Sequence, residues 1–462
     1  MEKKFGCTAF TAFILLLCMI PSLGMLLPKE ETEAGGNQVI AATPSLRNQE
    51  GTLNKAYLSQ LLDYVEDHHF LHQKMITAWS ALNVKTLHTS ITKDVILGKN
   101  NWLYYGETLS DYTGAGRMSN WEIYAAARNL ALVAEYCEQA GMQFLFTIAP
   151  NKNSLYPENM PEFTIHSGPS NAEALGAALE TEGVPYLNLF EVFRSQDETL
   201  YFTQDSHWNS KGAALAADAV NAALNRESSY FDGPFVPAED HRSDLYDMLC
   251  PAGPDLETDL KYGGTLDFTY DMPIRSAENL TIMTTGTGSG SLYMFRDSFG
   301  NPLYPYLADS YEHTLFSRSV EFDIERAVMQ EADTVVIELV ERNLDYLLQN
   351  LPVIPAPKRE LNVTDAKVLD GIPFQYSPGE NQGPSPVISG TLPAPPDTGF
   401  PVYLYAGDSQ DAYEVFLLEN NRFALYGPSD RSGELSLIYT SGGQTVQVPL
   451  LPPSGPILTE SH

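Results

Sequence analysis

QFLFTIA, the segment Gln143–Ala149, is an almost unbroken apolar run. Such a run is expected for a β-strand that is covered on both faces, as in the sheet of an α/β protein. A helical pattern over residues 120–140 precedes it and ends at Gly141, a natural C-terminal cap. The apolar run stops at the polar residues 150–153, where a loop is expected.

Helical and strand patterns alternate on both sides of this run. Further helical patterns cover residues 57–87, 172–182 and 211–224, and further apolar strand patterns cover residues 186–189, 292–295 and 334–339. This alternation predicts an α/β fold with a doubly wound, mostly parallel sheet.

The 462 residues are enough for one large domain and a smaller one. We expect a membrane segment in residues 1–35, an α/β domain in residues 36–355 and a β domain in residues 356–462. Within the α/β domain, residues 227–290 are acidic, glycine-rich and poorly periodic, which indicates an insertion with short strands. Its Gly-rich end, residues 285–290, is not followed by a helical pattern, so we expect a hairpin rather than a phosphate-binding loop.

The C-terminal part has a different pattern. A proline-rich hinge at residues 352–357 leads into six short apolar segments separated by Gly, Pro, Asp and Asn. This pattern predicts a small all-β, sandwich-like domain. Such a domain could bind glycan or could act as a structural spacer.

The N-terminus carries a candidate membrane segment. Lys3 and Lys4 precede an apolar run over residues 5–27, long enough to cross a bilayer, and the lysines would place the N-terminus inside. We expect an uncleaved anchor. A cleavable signal peptide is the alternative, because Ser22 and Gly24 put small residues at the positions of a cleavage site. In either case the rest of the chain functions outside the cytoplasm.

Charge and cysteine content restrict the function. The formal net charge of −32 opposes binding to nucleic acid and adsorption on anionic lipid. Of the four cysteines, two lie in the apolar N-terminal run, whereas Cys137 and Cys250 could pair or remain separate buried thiols. No CxxC, HExxH or histidine cluster indicates a metal site, and we expect no cofactor.

The segment 203–214, TQDSHWNSKGAA, carries a candidate general base. It lies where the helical pattern of residues 211–224 begins, and Asn209 or Ser210 can cap that helix. Asp205 stands two positions before His207, so in an extended stretch both side chains project to the same side. The carboxylate could then orient the imidazole and stabilise its cationic form, while Trp208 braces the loop by packing.

The segment 292–300, LYMFRDSFG, carries a candidate nucleophile. A buried-type strand ends at a polar cluster with Ser298 at its tip, the position of nucleophilic serines at strand-to-helix turns. Backbone N–H groups there can stabilise an oxyanion, and Gly300 allows a close backbone approach. Together the two segments predict a Ser298–His207–Asp205 triad.

These segments resemble the alginate O-acetyltransferase type of SGNH-like proteins and the related bacterial DHHW proteins. In those families an Asp-x-His-Trp motif precedes a strand that ends in Asp-Ser-Phe, as in Asp205-Ser206-His207-Trp208 and Arg296-Asp297-Ser298-Phe299-Gly300. Residues 98–105, 148–161 and 340–343 add to the resemblance, which covers about residues 55–350. The chain departs from the DHHW pattern in having Ser206 in place of the first histidine.

The resemblance implies roles for these residues. Ser298 would attack an acyl donor, His207 would accept its proton and Asp205 would orient His207. Asn151 is a candidate oxyanion donor or else a turn residue, and Arg296 could position substrate or pair with Asp297.

The implied function is an O-acyl, typically O-acetyl, transferase that acts on an exported or cell-envelope polysaccharide, with a membrane-bound acyl-exporting partner. A carbohydrate acetyl esterase with the same triad is the first alternative. A non-catalytic envelope scaffold or glycan-binding protein is the second.

Overall fold

A computed structural model describes residues 43–47, 51–68, 72–361, 365–377, 386–407, 411–427 and 434–452. The apolar run over residues 5–27, with Cys7 and Cys18, lies outside these ranges. Among the helices in the described ranges, none is both long enough and apolar enough to cross a bilayer. The other two cysteines, Cys137 and Cys250, are both free thiols.

The helices are numbered in chain order. They are α1 (Tyr57–His68), α2 (His72–Leu87), α3 (Leu109–Thr113), α4 (Asn120–Gln139), α5 (Lys152–Leu155), α6 (Asn171–Glu182), α7 (Leu189–Arg194), α8 (Ser210–Ala223), α9 (Asp244–Leu249), α10 (Gly300–Ser310), α11 (Ile324–Met329) and α12 (Tyr346–Gln349). Short 3₁₀ turns form at Gly106–Thr108, Pro157–Asn159 and Glu341–Asn343.

The strands before residue 341 form three sheets. They are β1 (Val95–Leu97), β2 (Leu103–Tyr105), β3 (Gln143–Ala149), β4 (Tyr186–Leu187), β5 (Phe235–His241), β6 (Glu257–Tyr262), β7 (Phe268–Tyr270), β8 (Thr281–Gly286), β9 (Ser291–Phe295), β10 (His313–Ser317) and β11 (Thr334–Val340). Strands β1 and β2 form one antiparallel pair, and β5 and β6 form another.

A seven-stranded sheet forms the centre of the α/β domain, in the order β4-β3-β11-β9-β10-β8-β7. The first five strands are parallel, whereas β8 and β7 continue the sheet antiparallel. The α/β fold with a mostly parallel sheet is thus confirmed. The sequence patterns did not predict β10, and β7 and β8 belong to the main sheet although they lie in the predicted insertion.

Alternate residues of the central strands fill two hydrophobic layers, one on each face of the sheet. Phe146 of β3 packs in the layer that contains α4 and α6. Its neighbour Leu145 packs in the layer that contains α8 and α10. Because both faces are covered by helices, β3 needs apolar residues at nearly every position, and β11 is buried along its whole length.

The C-terminal domain is all-β, as predicted. Its strands are β12 (Lys358–Arg359), β13 (Lys367–Val368), β14 (Ile372–Ser377), β15 (Val387–Thr391), β16 (Tyr403–Ala406), β17 (Asp411–Glu414), β18 (Phe416–Leu418), β19 (Arg422–Tyr426), β20 (Leu435–Ser441) and β21 (Gln444–Leu451). They form one continuous hydrogen-bonded sheet in the order β12-β17-β16-β20-β21-β14-β15-β19-β18, with β13 paired to β21.

Helix α4 of the α/β domain makes polar contacts with the C-terminal domain. The buried side chain of Asn129 donates to the carbonyl oxygens of Leu417 (2.8 Å) and Leu347 (3.2 Å) and accepts from the N–H of Leu417 (3.1 Å). Beside it, Arg128 makes two hydrogen bonds to Glu414, of 2.6 and 2.9 Å, and the Glu414 side chain is almost completely buried. One hydrophobic cluster contains residues of both domains. The boundary between the domains is therefore a packed interface.

The Asn129→Ala substitution should lower the free energy of unfolding by about 2–4 kcal/mol, because it leaves three buried backbone groups without partners. Urea unfolding followed by circular dichroism measures this change. Gln139→Ala on the exposed face of the same helix is the control and should change the free energy of unfolding by less than about 0.5 kcal/mol. Equal effects of the two substitutions would contradict the role of Asn129 in the interface.

Candidate active site

Ser298 lies at the carboxyl end of a central strand. Strand β9 ends at Phe295 and α10 begins at Gly300, so Ser298 occupies the turn between them. Because β9 lies between β11 and β10 in the sheet, this turn is near the middle of the sheet edge. Ser298 is half-buried and lines a cavity.

The structure brings Asp205 and His207 to this serine. Nε2 of His207 lies 2.9 Å from Oγ of Ser298, and Nδ1 lies 2.7 Å from Oδ1 of Asp205. The buried Asp205 carboxylate can only accept, so Nδ1 carries the proton and Nε2 is left to accept from the serine hydroxyl. This arrangement can deprotonate a nucleophilic serine.

The charge of Asp205 sets the state of the imidazole. Burial raises the pKa of Asp205, but hydrogen bonds and charge from His207 and His241 outweigh burial and hold the pKa well below its usual range. Burial likewise opposes protonation of His207, yet the hydrogen bond and charge of Asp205, with further charge from Asp244, raise its pKa above the usual value. The imidazolium is therefore stabilised where it would form during proton transfer.

The residues after His207 hold the loop in place. Trp208 is completely buried, stacks on Phe193 at 5.6 Å between ring centroids and meets Phe299 edge-on at 5.0 Å. Asn209 caps α8 by accepting from the N–H of Gly212. Trp208 thus connects the His207 loop to the residue that follows Ser298.

Asp297 fixes the turn that carries Ser298. Its Oδ1 accepts from the N–H of Phe299 (2.9 Å), and its Oδ2 accepts from the N–H of Val340 (2.7 Å) and the side chain of Asn343 (3.2 Å). The N–H of Asp297 in turn donates to Glu338, whose pKa is raised well above its usual range by burial and by the charge of Asp297. The buried Glu338 side chain therefore supports the turn from within the sheet.

The other predicted site residues have structural partners. The guanidinium of the buried Arg296 donates to Asn301 Oδ1 (2.5 Å) and to the carbonyl oxygens of Ala277 (2.9 Å) and Asn279 (3.3 Å), and burial lowers its pKa to about 10. It does not pair with the Asp297 carboxylate among the described contacts. A Cβ on Gly300 would lie 2.6 Å from Cβ of Arg296, so Gly300 makes room for Arg296.

Asn151 is buried at the end of β3. Its N–H donates to Glu341 (3.0 Å) and its side-chain amide to Asp111 (3.4 Å), while its Oδ1 has no partner among the described residues. The structure thus links Asn151 to two carboxyl groups and does not bring it into hydrogen-bond contact with Ser298. Its predicted role in oxyanion binding stays a prediction.

Two cavities lie on either side of the 3₁₀ turn Glu341–Asn343, and Ser298 lines the smaller of them. A small one of about 190 Å³ is lined by Arg296, Ser298, Arg318 and Asn343, among others. A larger cleft of about 670 Å³ is lined by residues that include Asp111, Arg194 and Glu341. The 3₁₀ turn Glu341–Asn343 contributes to both cavities, and its Arg342 stands over the Phe299 ring at 5.6 Å.

Sequence reasoning missed His241 and Asp244, which also contact the Asp205–His207 pair. Oδ2 of Asp205 accepts from Nε2 of His241 (3.0 Å) and from the N–H of Asp244 (2.9 Å). The Asp244 carboxylate accepts from the N–H and hydroxyl of Ser206, at 2.8 and 2.6 Å. The only sequence signal was the density of charged residues in EDHRSD, residues 239–244.

Ligand atoms of Asp205, His207 and Asp244 lie within 4.8 Å of one another, close enough to be tested as a metal site. The fit is poor, because Nδ1 of His207 and Oδ1 of Asp205 are already hydrogen-bonded to each other. A cation there would break the contact that orients the imidazole.

The parallel sheet with a serine, histidine and aspartate at its carboxyl edge defines an α/β protein of the SGNH-hydrolase-like class. Residues 95–242 match the family model described as SGNH hydrolase-like domain, acetyltransferase AlgX. This part of the chain is therefore similar to that family, and the resemblance stated from the sequence is confirmed.

Individual proteins show the same likeness. The chain is 24% identical over 319 residues to a probable alginate O-acetylase AlgJ of Pseudomonas syringae pv. tomato, covering 66% of this chain and 74% of that protein. The O-acetyltransferase domain of Pseudomonas putida AlgJ aligns with 55% of this chain and 93% of its own, at 16% identity and a TM-score of 0.37. A DHHW family protein from Eubacterium siraeum aligns with 49% of this chain and 89% of its own, at 16% identity and a TM-score of 0.40.

The Gly300→Ala substitution should disturb the serine turn, because the added Cβ needs the Arg296 side chain or the start of α10 to shift. We expect a loss of about 1–3 kcal/mol in the free energy of unfolding. Thermal and urea unfolding measure it. Gly407→Ala is the control, since its Cβ would meet its nearest neighbour at an ordinary 3.4 Å. Wild-type stability of both variants would show that the space beside Arg296 is not needed.

Proposed function

We propose that this protein is a serine-dependent O-acyltransferase that moves a small acyl group, typically acetyl, onto a polysaccharide. The observation that carries the proposal is the 2.9 Å contact between Nε2 of His207 and Oγ of Ser298, with Asp205 on the opposite ring nitrogen. The similarity to probable alginate O-acetylases and to an acetyltransferase family model supports an enzyme of the acyltransferase or esterase class.

The first half-reaction transfers the acyl group to the enzyme. Ser298 Oγ attacks the acyl carbonyl of the donor while His207 Nε2 takes the hydroxyl proton. The tetrahedral intermediate then collapses, the bond to the donor breaks and the leaving group takes the proton from His207. The product is an ester of Ser298.

The second half-reaction transfers the acyl group to the acceptor. A sugar hydroxyl attacks the Ser298 ester, and His207 takes the proton of that hydroxyl. Collapse of the second intermediate releases the acylated sugar, and the proton returns to Ser298 Oγ. The larger cleft beside Glu341 is the proposed place for the glycan, and the cavity of about 190 Å³ beside Ser298 is the proposed place for the acyl group.

Backbone N–H groups of the serine turn are the proposed oxyanion donors. The N–H of Ser298 has no acceptor among the described residues, so it is available to the developing negative charge. The N–H of the next residue, Phe299, already donates to the Asp297 carboxylate. Asn151 and Arg296 remain candidate side-chain contributors at the margins of the site.

Hydrolysis of an acetyl ester by the same residues is the second candidate. Water would replace the sugar hydroxyl at the Ser298 ester, and the rest of the chemistry would be unchanged. Ser298 is half-buried and lines the cavity of about 190 Å³, so a sugar hydroxyl and water are both candidate nucleophiles at its ester. A non-catalytic scaffold is disfavoured, because it would not need the short contacts among the three side chains.

The apolar segment near the N-terminus bears on the cellular location of the reaction. We propose that the enzyme works outside the cytoplasm, held by the apolar segment over residues 5–27 or released after its cleavage. Acyl groups would then reach it through a membrane-bound exporting partner.

Ser298→Ala should abolish acyl transfer, because it removes the attacking oxygen without changing the loop around it. The soluble chain from Gly36 onward is given an activated acetyl ester with and without acceptor oligosaccharides. Mass spectrometry follows free acetate and acetylated sugar. We expect a loss of at least about 1,000-fold in Ser298-dependent product.

The products separate the candidate functions. Acetylated sugar that depends on Ser298 supports the transferase, and acetate alone supports the esterase. Equal activity of the wild type and a folded Ser298→Ala variant would refute Ser298 as nucleophile. Ser195→Ala, at an exposed serine after α7, is the matched control and should keep full activity.

The pH profile should report the raised pKa of His207. The imidazole must be neutral to accept the serine proton, so kcat/KM should rise with pH through a pKa above the ordinary value of about 6.5. The charge of Asp244 contributes to this raised pKa. Asp244→Asn should therefore move the acid limb to lower pH, and an unchanged or higher limb would contradict this assignment.

A further inference from the structure

The insertion supplies a second imidazole to the candidate triad. His241 is the last residue of β5, and its Nε2 lies 3.0 Å from Oδ2 of Asp205. His207 occupies the other oxygen, Oδ1, of the same carboxylate. Because an ionised carboxylate only accepts hydrogen bonds, Nε2 of His241 carries a proton and donates it. Asp205 thus stands between two histidines.

The ring of His241 is held in one orientation. It stacks on Phe202, with 3.7 Å between the ring centroids and 1° between the planes. Phe202 lies in the chain segment that leads directly into Asp205. The His241 ring therefore packs on the same loop that carries its hydrogen-bond acceptor. A stacked ring can present only its edge nitrogens, which directs Nε2 at Asp205.

Carboxylates of the insertion also bind the loop that carries Asp205 and His207. Glu257 of β6 accepts from the N–H groups of Thr203 and Gln204, and it also accepts from Ser243 Oγ at 2.8 Å. Asp259 of the same strand accepts from the N–H and hydroxyl of Ser210, at 3.1 and 2.5 Å. The antiparallel pair β5–β6 therefore binds this loop at two places, before Asp205 and after His207. His241 contacts the loop between these two places, at Asp205.

From these contacts we infer that His241 is a positioning residue of the active site. Together with the N–H of Asp244, it fixes the Asp205 carboxylate so that Oδ1 faces His207, and it draws negative charge towards Oδ2. This inference rests on the proposed function, in which Asp205 orients the base. Without His241, the N–H of Asp244 is left as the donor to Oδ2, so the carboxylate is held less firmly and the orientation of His207 is less well fixed.

Three other charged groups lie near Asp205 and His207. Asp244 faces His207 from α9, and Arg342 faces it from the 3₁₀ turn after β11. Lys152 lies beneath the loop, where Nζ donates to the carbonyl oxygen of Asp205 at 2.5 Å. None of these groups changes when His241 is replaced. Removing the donor leaves more charge on Oδ1, which stabilises the His207 imidazolium, so the acid limb should move to higher pH.

Two substitutions separate hydrogen bonding from packing. His241→Phe keeps a flat ring for the stack on Phe202 and removes the donor. His241→Gln places an amide nitrogen near the position of Nε2 and keeps the donor. We expect His241→Phe to lower kcat/KM for the activated acetyl ester by about 10- to 100-fold, with the acid limb at higher pH. His241→Gln should stay within about 5-fold of the wild type.

A readout that does not need turnover makes the test independent of the proposed function. The pKa of His207 is measured by NMR titration of histidine-labelled protein in the Ser298→Ala background, with and without His241→Phe. A higher pKa of His207 in the His241→Phe protein supports the inference even if the wild type has no acyltransferase activity.

Three results would overturn the inference. The first is a His241→Phe enzyme with wild-type kcat/KM and pH profile. The second is an unchanged pKa of His207. The third is equal impairment of both variants together with equal loss of melting temperature, which would make His241 a folding residue only. Failure of the proposed function is a different result, in which ester cleavage by the wild type does not depend on Ser298.

Discussion

The buried carboxylate of Asp205 is the constraint on which the site depends. A charge with so little access to water is tolerated only when hydrogen-bond donors surround it. Two donors come from His207, its backbone N–H at 2.9 Å and its Nδ1, and two more come from His241 and the N–H of Asp244. The loop, the insertion and the start of α9 therefore together keep Asp205 ionised in its buried position.

Other carboxyl groups at the same sheet edge have raised pKa values, whereas the pKa of Asp205 is lowered. Burial raises the pKa of Glu341 to about 7, and the pKa of Glu338 lies well above its usual range. Both residues accept backbone N–H groups from the ends of neighbouring strands, Asn151 after β3 and Asp297 after β9. One edge of the sheet thus combines a stabilised negative charge at Asp205 with two buried carboxyl groups of raised pKa that connect strand ends.

The sequence was informative where the pattern is local. QFLFTIA and TVVIELV indicated buried strands because both faces of β3 and β11 are covered. Asp205 and His207 were found from their spacing, and Ser298 from its place after an apolar strand. Strand β10 was missed, since HTLFS is short and mixes His, Thr and Ser with only two large apolar residues.

His241 and Asp244 could not be predicted, because their contacts with Asp205 depend on how a long, poorly periodic insertion folds back. The N-terminal segment and the role of the C-terminal domain remain predictions.

The order of strands in the sheet also governs how the chain can fold. The partner of Gln143 in the parallel pair β3–β11 is Thr334, so these two largely buried neighbouring strands are far apart in sequence. Both neighbours of β3 in the sheet, β4 and β11, follow it in the chain, so during synthesis β3 emerges with both edges unpaired. Pairings at such separation form slowly and leave partly folded chains prone to association. The yield of folded protein is therefore expected to depend on the delay between these two strands as well as on the stability of the finished fold.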